Sequence, residues 1–211
     1  MKRNGFRTIL MMFAVISMLC ICSITASASA AIKKASYERG GKVEVDFTTR
    51  VSYKNVKVTV KDQSGKAVKA VITEKDQDDL DFRLKSVSMG KTYTFTITGI
   101  KKRNETAYGS VRGKIMVPVT KGAVPVKKIE YDSKDQEVEF DFAANVSWKS
   151  PKVKIFRGNA QYAVRISDRG RRDAEIRVRK LQKGKVYHYT ISGIRKAGDQ
   201  KYTTISGSFM A

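Results

Sequence analysis

The chain has 211 residues, 42 Lys and Arg against 20 Asp and Glu, and a formal net charge of +22. Its two cysteines, Cys20 and Cys22, precede Ala30, and it has a single histidine, so everything after Ala30 lacks the means for a disulfide scaffold or a thiolate metal site. A charge of this sign and size points to polyanionic partners.

Lys2, Arg3 and Arg7 lead into an apolar run from Ile9 to Ile24, followed by Ala26-Ser27-Ala28-Ser29-Ala30. A basic start, an apolar centre and a small-x-small end mark a secretory signal peptide over residues 1–30, cleaved after Ala28 or Ala30. The apolar run is about sixteen residues, short of the roughly twenty that span a bilayer. The residues before the cysteines, Leu19 and Ile21, are large where a lipidated cysteine follows a small one, so no lipid anchor is expected.

Beyond the leader the sequence says the same thing twice, over residues 31–117 and 126–211. Val43-Glu44-Val45-Asp46-Phe47 returns as Val138-Glu139-Phe140-Asp141-Phe142, and Val51-Ser52-Tyr53 as Val146-Ser147-Trp148. The run from Gly90 to Ile100 returns from Gly184 to Ile194. Such duplication sets the architecture before any chemistry. Without the leader the charge is about +19, spread evenly as about +9 on the first copy and, counted with Lys121, about +10 on the second. That evenness reads as a property of the whole surface rather than of a basic tail.

Within each copy apolar and polar residues alternate over short runs, the period of strands with one buried face. In the first copy Val43, Val45 and Phe47 form one inward set and Val56, Val58 and Val60 the next. Leu80, Phe82 and Leu84 follow, and then Tyr93, Phe95 and Ile97 alternate with outward threonines. Turn residues separate these runs at Gly40-Gly41, Ser64-Gly65 and Met89-Gly90, and at Gly158-Asn159, Lys183-Gly184 and Gly198-Asp199 in the second copy. The pattern predicts an all-β chain with about seven strands per copy.

The segments Val87-Ser88-Met89-Gly90-Lys91-Thr92-Tyr93 and Leu181-Gln182-Lys183-Gly184-Lys185-Val186-Tyr187 resemble the apolar-x-x-Gly-x-x-Tyr signature of fibronectin type III and bacterial immunoglobulin-like domains. The resemblance covers nearly all of the chain after the leader and implies two tandem seven-stranded immunoglobulin-like sandwiches. It also implies that Tyr93 and Tyr187 are structural corner residues whose hydroxyls reach back to loop backbone. The early core tryptophan of the fibronectin pattern and its proline before the tyrosine are absent. Pro118 and Pro125 bracket residues 118–125, which reads as a short linker holding the two sandwiches end to end.

Little suggests catalysis. Alternation places His188 outward without a partner, and Ser88-Met89-Gly90-Lys91 has Ser-x-x-Lys spacing but falls in a turn instead of opening a helix. No nucleophile, base and orienting group cluster, and no cofactor is expected. Asp76, Asp78, Asp79 and Asp81 are a weak candidate for one calcium ion; the second copy answers with basic residues there, which excludes a shared metal site. The stronger candidate is an anion site at Arg169, Arg171, Arg172, Arg177, Arg179, Lys180 and Lys183, where guanidinium groups can hold phosphate or carboxylate in bidentate pairs. The competing reading is that Glu139, Asp141 and Glu175 neutralise part of this face across strands.

These observations lead to an exported, non-enzymatic envelope protein whose expected partner is an anionic wall polymer or polysaccharide. The alternative is an adhesin or assembly module that holds a surface protein through loops or an edge strand. Contact with an anionic membrane surface fits the charge as well. Nucleic acid is disfavoured by export and by the scarcity of outward aromatic residues.

Overall fold

The computed structural model describes residues 30–211; the predicted leader, with its cysteines and the cleavage position after Ala28, lies outside these residues except for Ala30. The first copy contains β1 (Ile32–Glu38), β2 (Lys42–Phe47), β3 (Val51–Lys61), β4 (Ala67–Val68), β5 (Ala70–Lys75), β6 (Asp79–Leu84), β7 (Thr92–Lys102) and β8 (Gly109–Met116). A short β9 (Val119–Lys121) precedes the second copy. That copy contains β10 (Val126–Asp132), β11 (Glu137–Phe142), β12 (Val146–Arg157), β13 (Ala160–Tyr162), β14 (Val164–Arg169), β15 (Asp173–Val178), β16 (Val186–Lys196) and β17 (Thr203–Met210).

Alternation sorts the side chains as strand geometry requires. Val43 pairs with Phe82 and Val45 with Leu80, and these four are fully buried. On the facing sheet Val58 pairs with Ile97 and Val60 with Phe95. The two layers meet where the rings of Phe82 and Phe95 lie 5.5 Å apart. In the second copy the ring comes from the neighbouring strand, because Ile176 stands where Phe82 does and Phe140 of β11 meets Tyr189 instead, 4.9 Å away. Each such side chain contributes roughly 1.5–3 kcal/mol by leaving water, and the buried apolar residues fall into two clusters, one per copy.

In each copy the first, second, sixth and fifth strands form one layer, and the fourth, third, seventh and eighth form the other. This is the constant-type immunoglobulin order with one short strand added, so each copy is an immunoglobulin-like, fibronectin type III-like β-sandwich. Each copy has eight strands where about seven were expected. The additions, β4 and β13, are two and three residues long, too short for alternation to mark them. Tyr93 and Tyr187 are buried, and their hydroxyls accept the backbone N–H of Ser88 at 2.9 Å and of Gln182 at 2.7 Å. A second aromatic pair pins another turn: the Tyr53 hydroxyl donates to the Asp79 carbonyl at 2.6 Å, and the Trp148 indole N–H to the Gly170 carbonyl at 3.0 Å.

The expected end-to-end placement gives way to a different one. β1 and β10 pair antiparallel, Glu38 opposite Lys128, and fuse the first layers of both copies into one eight-stranded sheet, in the order β14-β15-β11-β10-β1-β2-β6-β5. The segment between the prolines makes this turn-back, because β9 pairs antiparallel with β17 and Gly122, at φ +118°, sends the chain into β10 beside β1. The four-stranded sheet β4-β3-β7-β8 and the five-stranded sheet β13-β12-β16-β17-β9 lie side by side against the inner face of the large sheet.

Gly99 and Gly193 occupy equivalent positions on β7 and β16, at register shifts facing matching irregularities in β3 and β12. Their φ values are +74° and +73°, and a Cβ at either would collide with a backbone carbonyl oxygen, that of Lys54 or Lys149. Alanine at each position is expected to lower unfolding stability by roughly 2 kcal/mol or more through left-handed strain plus the clash, read as a lower denaturation midpoint at unchanged slope.

Candidate functional site

The predicted arginine and lysine residues do not converge. Arg171 and Arg172 lie in the exposed turn before β15, whereas Arg179 and Lys180 follow its far end. The six residues of β15 separate the two groups by roughly 20 Å. Arg169 closes β14 near the first group. Arg172 donates to the Ala143 carbonyl at 3.4 Å, and Arg177 is held by Glu137, with Nη2 at 2.9 Å and Nε at 3.1 Å from one carboxylate oxygen. Lys183 leaves the group altogether and donates to the carbonyls of Ile32 and Lys33, at 3.4 and 3.1 Å. Asp79 and Asp81 share the outer face of β6 while Asp76 and Asp78 sit in or beside the preceding turn, and among the described residues no three His, Cys, Asp or Glu are arranged to hold a metal ion. His188 is exposed and stacks on Phe156, ring centroids 5.5 Å apart.

The expectation of evenly spread charge is overturned by sheet membership. Every Asp or Glu that lies in a strand lies in the eight-stranded sheet, on β1, β2, β5, β6, β10, β11, β14 and β15. No strand of the two smaller sheets carries one. Their outer faces carry cations and hydroxyls instead. Across β3, β7 and β8, Lys61, Thr94 and Lys114 form one row and Thr59, Thr96 and Arg112 the next. The second copy presents Lys152 beside Ser192 and Lys154 beside Thr190. Along the chain the two signs interleave; across the fold the strand carboxylates are confined to the large sheet, whereas lysines and arginines occur in both layers.

On the acidic surface the register lines up one lateral row: Glu74, Asp81, Glu44 and Ser36, then Glu130, Glu139, Glu175 and Asp168. Glu38 opposite Lys128 is the ladder pair that joins the copies, and beyond it side chains bridge the two halves of the row, Lys34 reaching Glu130 and Lys128 reaching Glu44. Cations neutralise its centre. Glu130 is 6% exposed and takes both Lys34, from the other copy, and Lys128, at 2.6 Å. Lys128 also reaches Glu44 at 3.1 Å, and Lys42 reaches Asp81 at 2.7 Å. Burial works against the charged forms of Lys34 and Lys128, but contact with Glu130 prevails and raises both above the ordinary lysine value. Burial likewise opposes ionisation of Glu44, and Lys128 overrides it, lowering that carboxyl.

Toward the β11–β15 side no ion pair compensates Glu139, Asp141, Asp173 or Glu175. Glu139 stands directly opposite Glu175, and Asp141 opposite Asp173. Burial, and then the neighbouring Asp141 and Glu130 carboxylates, push Glu139 above the usual carboxylate range; burial is also the main cause of the rise at Asp141.

The opposite surface holds a groove of about 630 Å³ between β8 and β17, with β1 and β10 as its floor. Lys33, Arg112, Lys114 and Lys183 line it, beside Ile32, Ala35, Ile129 and Tyr131. A second trough of about 780 Å³ shares Arg112, Lys114, Gly184 and Met210 with the first and continues over Lys61, Thr92, Thr94 and Thr96. The two adjoin as one elongated basic channel, in which these cations outnumber the two acidic residues that also line it, Glu130 and Asp62. Sequence reasoning found Lys183 and missed Arg112 and Lys114; the usable signal was the lack of carboxylates within the alternating runs of β7, β8, β16 and β17, with Glu105 and Asp199 confined to the turns between them.

No protein-family model matches the sequence, and no curated protein matches it. Among solved structures the chain is similar to a two fibronectin type-III domain segment from chicken tenascin, with 17% sequence identity, a TM-score of 0.29, and coverage of 86% of this chain and 98% of that one.

Two carboxylates of the acidic row should respond oppositely to removal of charge. Glu130→Gln strands two half-buried lysines and is expected to cost about 3 kcal/mol, whereas Glu139→Gln relieves repulsion from Glu175 and is expected to stabilise by about 0.5 kcal/mol at neutral pH. The folded-state pKa of Glu139 is raised, so its ionisation costs stability above that value. The gain in the Gln variant therefore fades as pH falls to the ordinary carboxylate range, where the residue is protonated in both states. Thermal unfolding of both variants between pH 4 and 8 checks the signs.

Proposed function

We propose that this is an exported, non-enzymatic protein of a bacterial envelope that binds anionic wall polymers through the basic channel between its two sandwiches. The observation that carries the reading is the absence of any carboxylate from the strands of both smaller sheets, combined with Lys33, Arg112, Lys114 and Lys183 along one groove. A polyphosphate or polycarboxylate chain lying there meets cations at several successive units, with threonine hydroxyls of β7 as further donors. Fibronectin type III-like sandwiches are typically binding modules, which agrees with a non-enzymatic role. Export rests on the leader, and burial of Ala30 in the first core favours cleavage after Ala28 over cleavage after Ala30.

A second reading has one observation in its favour: β8 is the outermost strand of its sheet, and its open edge faces the groove. A protein partner could add a strand there through backbone hydrogen bonds, and such binding would be insensitive to salt.

Co-sedimentation of the mature chain with cell walls, with and without their anionic polymers, separates the two readings. Polymer binding is expected to fall steeply between low and high salt and to vanish when the polymers are stripped. The double substitution Arg112→Glu with Lys114→Glu should weaken retention at least tenfold and flatten the salt slope, whereas Arg171→Glu with Arg172→Glu, remote from the channel, should do much less. Retention unchanged by the channel variant would refute the site, and retention persisting in high salt on stripped walls would favour the strand-addition partner.

A further inference from the structure

The acidic surface has no role in polymer binding, and its organisation works against the stability of the isolated chain. Carboxylates placed directly opposite one another in a sheet repel, and here Glu139 opposes Glu175 and Asp141 opposes Asp173 with no ion pair to any of the four. In the same lateral row Asp81 is 4% exposed, and one of its oxygens has no hydrogen-bond partner within the chain. A flat face with this chemistry is completed by cations from outside. The chain itself offers such a surface, since the outer face of the β4-β3-β7-β8 sheet displays Lys57, Lys61, Arg112 and Lys114 and contains no acid in any strand.

We propose that a second copy of the chain docks its β3–β7–β8 face, through Lys57 and Lys61, onto the acidic face of the first around Glu139, Asp141, Asp173 and Glu175. Both faces are antiparallel sheets with strands about 4.8 Å apart, so rows of charge on one meet rows on the other at a common spacing. The contact joins two different surfaces on opposite sides of the molecule, which makes it heterologous, and repetition gives an open chain or a ring rather than a closed two-fold dimer.

Net charge sets the conditions. Each copy carries a large positive excess, and at about 10 mM salt, where the screening length is about 30 Å, whole-molecule repulsion opposes association. At about 0.15 M that length falls to about 8 Å, which screens the repulsion between molecular centres but leaves close pairs at the contact; at 1 M it is about 3 Å and the contacts weaken too. Association is therefore expected to pass through a maximum near physiological salt. The inference does not rest on polymer binding, since it needs no polymer.

Sedimentation velocity on the mature chain at about 10 mM, 0.15 M and 1 M salt, over a concentration series, is the test. Species larger than a monomer are expected at the middle salt and fewer at either end. Glu139→Gln with Glu175→Gln should abolish them while leaving the fold at least as stable, so loss of assembly cannot be ascribed to unfolding. Lys57→Glu, at a lysine that lines neither part of the polymer channel, should abolish them as well. Mixing the two variants should restore a 1:1 complex and nothing larger, because each retains one competent face. A monomer at all three salts, assembly that persists at 1 M, or variants that assemble like the parent would overturn the proposal. Wall binding by the Lys57→Glu variant, scored separately, shows whether polymer recognition stands or falls on its own.

Discussion

The antiparallel pairing of β1 with β10 is the contact on which the rest of the molecule depends. A strand at the edge of each sandwich leaves a row of backbone donors and acceptors open, and the copies meet at one end of those rows, where Glu38 pairs with Lys128 and the Arg39 N–H donates to the Lys127 carbonyl at 2.8 Å. Charge accompanies the closure: Lys34 of one copy and Lys128 of the other converge on Glu130, Lys128 also holds Glu44, and Lys127 holds Glu38 at 3.1 Å. Half-buried ion pairs of this kind add modestly to stability but are costly to break, so they favour one register over its neighbours.

Two surfaces follow from that junction. Fusing the first layers makes a single eight-stranded face far wider than one sandwich presents, and it gathers the strand carboxylates. Setting the copies side by side leaves the outer edge of β8 facing the end of β17, at Met210, across a cleft floored by β1 and β10, and it gathers cations. End-to-end tandem domains would have produced neither. The short β9 enforces the arrangement by tying the connecting segment to β17.

On the proposed readings, the layer whose strands lack carboxylates would take polyanions and would also dock on the acidic face of a second copy, so polymer and protein would compete for the same cations. The central lysines keep the acidic face folded; the uncompensated carboxylates around Glu139 and Glu175 are the part left for a partner. This division explains why two acids in one row, Glu130 and Glu139, have opposite energetic roles although they face each other on adjacent strands of one copy.

Alternation in the sequence was sufficient for the strands, their buried faces and the two cores, because period two and burial are both local consequences of β geometry. The tyrosine corners were legible only through the resemblance of their segments to the apolar-x-x-Gly-x-x-Tyr signature, a short-range motif in which each donor lies five residues before its ring. The arginine cluster was misjudged because nearness in sequence was taken for nearness in space, and β15 holds Arg171 and Arg179 at opposite ends. Only the tertiary structure decided where the charge lies. Alternation says that Glu44 and Lys57 both point outward, but not that they point out of different layers; that depends on which sheet each strand joins and on the β1–β10 pairing, a long-range hydrogen-bonded contact with no periodic trace in the chain.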